Sequence, residues 1–180
     1  VAGGLHGRKP SEGFYPYEDG RRVDPEETNL PDAALPRIWV PPQMQDDLAM
    51  LLRALTAAGV KISETPDDAV NLVAPYGWDT TATALSLELD PVRVVGIDPL
   101  TVDRARATIM PTPVTDTALC DGVHRALLKV GKKVTRIADS PGFIAQRVLA
   151  MIINTGCEIA QMQIASPADI DDGVRLGLGY

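Results

Sequence analysis

General acid–base or nucleophilic chemistry needs a base set beside a nucleophile or an acid, and this chain offers few parts for either. Its two histidines are His6 and His124. His6 stands among the glycines of a polar arm and reads as a surface residue. His124 falls inside a helical pattern, on or near its polar side, and reads as solvated. Cys120 and Cys157 have no metal-ligand spacing, and no Ser/His/Asp or Cys/His set can be assembled from these positions. Both cysteines lie in helical patterns, where a buried free thiol is expected. The carboxylate pairs Asp46-Asp47, Asp67-Asp68 and Asp171-Asp172, and Asp116 beside Thr117, read as helix-start or surface charges. Asp46-Asp47 suits the positive end of the helix that follows it.

Phosphate binding would need glycines directly after a strand, so that amides and a helix N-terminus can approach the anion. The first strand, Ile38-Trp39-Val40, is followed instead by Pro41-Pro42-Gln43. Two prolines remove two amide donors where phosphate would sit. Neither GxGxxG nor the P-loop pattern GxxxxGK[ST] occurs. A normal dinucleotide site is therefore not expected in this unit.

The elements that would position any site alternate. Arg37–Val40, Val60–Ile62, Ala69–Ala74, Arg93–Ile97, Arg106–Met110 and Lys133–Ile137 read as strands. Gln43–Ala58, with Met44, Leu48, Leu51, Leu52 and Leu55 at helical spacing, reads as a helix stopped by Gly59. Thr80–Leu89 is a weaker helix, and Thr115–Val130 a stronger one with Leu119, Val123, Ala126, Leu127 and Val130 inward. Strands alternating with helices predict an α/β unit with a mainly parallel sheet. After Ile137 the pattern is helical. Ser140 is suited to cap a helix with Pro141 at its first position, running to about Gln163 as a buried core helix through Phe143, Ile144, Val148, Met151, Ile152 and Ile159. Ser166-Pro167-Ala168-Asp169 opens another helix with a capping box, ending near Leu176 with Gly177 and Gly179 as stops. No internal repeat is visible.

The chain has 180 residues and 45 % apolar content, enough for a core, but aromatic content of only 4 % makes that core aliphatic. A net charge of -7 argues against a nucleic-acid partner. No apolar run is long enough for a membrane span, no signal-peptide pattern opens the chain, and a cytoplasmic setting is expected. Residues 1–35 are rich in Gly, Pro and charge and read as an arm and linker rather than a domain. The arm carries an aromatic knot at Gly13-Phe14-Tyr15-Pro16-Tyr17, and the linker runs from Asp19. The missing initiator Met and the ending Leu178-Gly179-Tyr180 lead to the expectation of a piece from a longer protein.

Asp139-Ser140-Pro141-Gly142-Phe143-Ile144-Ala145-Gln146-Arg147-Val148, followed by Ala165–Asp171 and Leu176–Tyr180, resembles the helical C-terminal domain of 3-hydroxyacyl-CoA dehydrogenases. Gly7–Tyr17 resembles the tail that ends the same domain type. Tail before domain resembles the order in long, duplicated members of that family. The resemblance therefore implies three parts: residues 1–35 as tail and linker, 36–138 as a reduced Rossmann-like domain, and 139–180 as the start of a second helical domain. The implied fold class is α/β, a reduced Rossmann-like mainly parallel sheet with flanking helices, followed by a truncated all-α domain.

The family oxidises 3-hydroxyacyl-CoA to 3-ketoacyl-CoA with NAD, using a His–Glu pair whose His takes the hydroxyl proton. The resemblance puts Asp98 where that His should be and Met110 near the partner Glu, while Gln146 replaces an Asn of the helical domain. It therefore implies an NAD-dependent parent enzyme acting in fatty-acid or aromatic-acid degradation. It implies a catalytically silent, structural and dimerising role for this part, with no catalytic, cofactor-binding or metal residues and no NAD of its own. Ser140, Phe143 and Gln146 are the candidate substrate-pocket residues. A homodimer, or a helix exchange, through an incompletely covered apolar face on Phe143–Ile159 is expected. The alternative is an acyl-CoA-binding or regulatory module without dehydrogenase activity.

Overall fold

The structure, a computed structural model, describes residues 16–23, 30 and 33–178. His6 and the aromatic knot through Tyr15 lie outside the described residues. The chain divides into two compact units, Val1–Pro31 and Asp32–Tyr180. In the first, β1 (Tyr17–Glu18) and β2 (Arg21–Arg22) pair antiparallel, Tyr17 opposite Arg22. The turn between them is Asp19-Gly20, both at positive φ (49° and 72°). That geometry matches the right-handed strand twist, and Asp-Gly adopts it readily. The place where a linker is expected to start is thus a hairpin turn.

The second unit is built on a five-stranded sheet: β3 (Ile38–Trp39), β4 (Val70–Val73), β5 (Val94–Ile97), β6 (Arg106–Pro111) and β7 (Lys133–Arg136). The strands lie side by side in chain order. Three neighbouring pairs are parallel, and β5–β6 is antiparallel, with Gly96 opposite Met110. The sheet is therefore mainly parallel and Rossmann-like, as expected. Val60–Ile62 does not form a full strand. Ile62 makes one bridge to Ile38, and its neighbours spend their bonds on Ile38 N–H and C=O.

Alternation along each strand sends side chains to opposite faces. One face carries Ile38, Val70, Leu72, Val95, Ile97, Ala107 and Ile109, and it packs on α1 (Ala49–Ala57) and α3 (Thr117–Lys129) through Leu51, Leu55, Val123 and Leu127. The other face carries Val73 and Val94, and packs on α2 (Thr80–Ser86) through Ala84. The expected helix from Gln43 begins later. Pro42–Met44 and the turns after it close with i→i+3 bonds, so α1 proper starts at Ala49. His124, expected to be solvated, is only 3 % exposed. It shares a stripe with Cys120, Val123 and Leu127, at the i, i+3, i+4, i+7 spacing that faces the sheet.

After Arg136 the chain becomes helical, with α4 (Ile144–Gln161), α5 (Pro167–Gly173) and a closing π-turn (Val174–Leu178). The α5 capping box is formed as expected from Ser166 and Asp169. The start of α4 is not. Gly142 has φ +72°, which breaks the helix after Pro141, so Phe143 takes the N-cap position and Ser140 caps nothing. Nor is α4 a core helix: none of its residues is buried, and Cys157, expected to be a buried thiol, is exposed.

Candidate functional site

In open α/β sheets, ligands sit beyond the carboxyl ends of parallel strands. Here that edge is formed by β3, β4 and β5. Beyond β3 come Val40, Pro41 and Pro42, and Gln45 Nε2 donates to Val40 O at 3.2 Å. Beyond β4 the loop Ala74–Asp79 leads into α2, exposing Tyr76 and Trp78. Beyond β5 stands Asp98, fully buried.

Gln146, on the first turns of α4, reaches this edge from a distant part of the chain. Its Nε2 donates to Asp98 Oδ1 (3.0 Å) and to Pro75 O (3.1 Å), and its Oε1 accepts from Gly77 N–H (2.8 Å). Asp98 Oδ1 also accepts from Leu100 N–H at 3.1 Å, whereas Oδ2 has no hydrogen-bond partner among the described residues. Partial burial, then the charge of Asp47 and a hydrogen bond to it, then the charge of Asp98, raise the Tyr76 phenol above its ordinary value. Tyr76 therefore keeps its proton at neutral pH and is no base. Met110, opposite Gly96 on β6, is buried. Its carbonyl accepts from the Thr80 hydroxyl at 2.7 Å and its sulfur from Ser140 N–H at 3.4 Å.

The N-terminus of α2, the natural anion seat at this edge, is already occupied by carboxylates. Asp79 accepts from Ala82 N–H (2.6 Å). Asp139 accepts from Thr80 N–H (2.8 Å), Thr81 N–H (3.2 Å) and the Thr81 hydroxyl. Ahead of α1, Pro41 and Pro42 carry no amide, and the tight turns after them bond the N–H groups of Met44, Gln45, Leu48 and Ala49 to preceding carbonyls, so those amides are not offered to a pyrophosphate. The residues present do not fit a dinucleotide.

Of the three candidate pocket residues, only Gln146 bonds this edge through its side chain, and its amide is engaged by Pro75, Gly77 and Asp98. Phe143 is a buried plug. Its ring lies against Gly96, where a Cβ would stand 3.3 Å from Phe143 Cζ and collide with the Thr80 hydroxyl. Ser140 turns its hydroxyl back to Ala138 O at 3.2 Å. Sequence reasoning named Asp98 and Gln146 separately without joining them, and it missed Asp79, Asp139 and Tyr76. Asp79 had a local signal, an Asp three residues before the amide it caps; Asp139 had none, because α2 is distant in sequence. Beyond Gln146, α4 and α5 enclose an apolar groove of about 710 Å³, lined among others by Val148, Met151, Ile152, Ile159, Ile164 and Ile170.

Residues 142–180 match the family model of the 3-hydroxyacyl-CoA dehydrogenase C-terminal domain. The chain is 34 % identical over 116 residues to 3-hydroxyadipyl-CoA dehydrogenase of Escherichia coli (strain K12), covering 64 % of this chain and 23 % of that protein. It is 29 % identical over 93 residues to probable 3-hydroxybutyryl-CoA dehydrogenase of Bacillus subtilis (strain 168), covering 50 % of this chain and 32 % of that one. The chain thus spans about a quarter to a third of the length of these relatives. Among solved structures it resembles 3-hydroxybutyryl-CoA dehydrogenase from Escherichia coli K12, with a TM-score of 0.61, 26 % identity, and 99 % of this chain and 33 % of that chain covered. It also shares the fold of (S)-3-hydroxybutyryl-CoA dehydrogenase from Ralstonia eutropha, with a TM-score of 0.55, 21 % identity, and 79 % and 50 % covered. No helix among the described residues is long and apolar enough to cross a membrane.

Proposed function

We infer that this chain, which belongs with the 3-hydroxyacyl-CoA dehydrogenase family, is the structural and dimerising part of an NAD-dependent 3-hydroxyacyl-CoA dehydrogenase and performs no chemistry itself. The observation that carries this reading is the carboxyl edge of the sheet. Asp98 is buried and tied to Gln146, and carboxylates fill the anion seat of α2; on the resemblance, Asp98 would take the place of the family's base and Met110 that of its acid. In this reading residues 1–35 are a tail and linker, 36–138 a reduced Rossmann-like domain, and 139–180 the start of a second helical domain. The parent enzyme acts in the cytoplasm on 3-hydroxyacyl-CoA, in fatty-acid or aromatic-acid degradation.

The dimer is proposed through α4. Ile144, Val148 and Met151 are all more than 40 % exposed on one stripe of the helix, and an apolar stripe of this kind is covered in solution by association. Titration of the chain with NADH and with acetoacetyl-CoA tests the silent role: neither should bind. Saturable NADH binding overturns it, and CoA binding without NADH supports the binding-module alternative. Sedimentation should give a dimer, and a monomer at high concentration overturns the pairing.

A further inference from the structure

The geometry points to a carboxamide seat at the carboxyl edge of the sheet, formed by Pro75 O, Gly77 N–H and the Asp98 carboxylate, which Gln146 fills in cis and which thereby latches α4 to the α/β unit. The inference rests on this geometry and not on the dehydrogenase reading. A primary amide has two N–H donors on nitrogen and an acceptor oxygen. The seat presents the complement, two acceptors and one donor, and all three contacts to Gln146 are made at 2.8–3.1 Å. Few side chains satisfy such a seat: Glu offers no donors and would bring a second carboxylate to Asp98, and Leu fills the space without a bond.

Two further observations make this contact more than one bond network among many. The first is that Asp98 is fully buried with Oδ2 lacking a partner among the described residues, so its Oδ1 depends on Leu100 N–H and Gln146 alone. A buried carboxylate stripped of a donor must be hydrated or neutralised, which makes the closed latch strongly preferred. The second is that α4 has no buried residue. Its direction is set by the entering segment, where Gly142 N–H donates to Trp78 O at 3.2 Å and Phe143 is plugged over Gly96, and then by Gln146. Gly142, at φ +72°, is the pivot, and Gln146 fixes the angle.

Hydrogen exchange of the Gly77 amide in the full chain reads the latch directly. In Gln146→Ala that amide should exchange at least about tenfold faster, and propionamide, a free primary amide of the same shape, should slow it again. Met151→Ala, exposed further along α4, should leave it unchanged. Unaltered Gly77 exchange in Gln146→Ala overturns the proposal, as does acceleration that propionamide does not reverse. If Gln146→Ala does not fold, Gln146→Leu keeps the volume and removes the three bonds; unchanged Gly77 exchange there overturns the proposal equally.

Discussion

The α/β part and the helical pair α4–α5 are made of the same aliphatic residues and end in opposite states. On β4 and β5 every residue is buried, and α3 buries six of its residues. On α4, twice the length of α1, none is buried. Amphipathic spacing is present in both. The difference is what the apolar stripe meets: the stripes of α1 and α3 have a sheet to cover, whereas α4 meets α5 and little else among the described residues. A periodic apolar pattern thus reports that a helix has a face to bury, and not that the face is buried within the same unit.

The contrast can be tested at four points. Phe143 belongs to the core although it starts the exposed helix. Phe143→Ala should cost about 3–5 kcal/mol, read by urea denaturation, as for other buried aromatics; a loss under about 1 kcal/mol would place Phe143 with α4 instead. Asp139→Ala removes the second cap of α2 and should cost about 1–2 kcal/mol, and the loss should be smaller in a background already carrying Thr81→Val, which lacks the hydroxyl that also donates to Asp139. The thiols mark the two regions chemically. Cys157 should react with a thiol reagent in the folded state and Cys120 should not. Burial pushes the Cys120 thiol up, with Arg136 opposing and Asp121 adding. Above the ordinary thiol range the unfolded chain therefore loses its proton before the folded one, and stability should fall as pH rises there, a slope that Cys120→Ala should remove. The smallest effect is expected at Met151, 70 % exposed. Met151→Ala in dilute, monomeric protein should shift stability by no more than about 0.5 kcal/mol, while Met151→Glu should weaken any self-association seen by sedimentation.

Much of the fold was legible because strand and helix periods differ sharply. Val94–Ile97, Val70–Val73 and the Arg106 strand were readable as short apolar runs between breakers. Local chemistry also carried the α5 capping box. What failed was context. Ser140-Pro141 is a sound helix start, yet Gly142 at positive φ and the pull of Phe143 into the pit over Gly96 shift the start downstream. His124 is buried and not solvated because the inward stripe of α3 is centred on Cys120, Val123 and Leu127, with Leu119 at its margin. The candidate site was half legible. Asp98 and Gln146 stood out singly against the family pattern, but their bond joins residues on different elements, and no periodicity encodes it. The carboxylates on α2 were invisible for the same reason.

The antiparallel β5–β6 pair has a kinetic consequence. Ile97 and Ile109 are much closer along the chain than the partners in any of the parallel pairs, such as Ile38 with Val70 or Arg106 with Lys133. Closing the shorter loop forfeits the least chain entropy, and local pairings form early. Folding of this unit should then nucleate at the middle of the sheet and spread to both edges. Gly96 lies in that nucleus, so the pit for Phe143 exists before the helix that fills it arrives, and α4 should dock last.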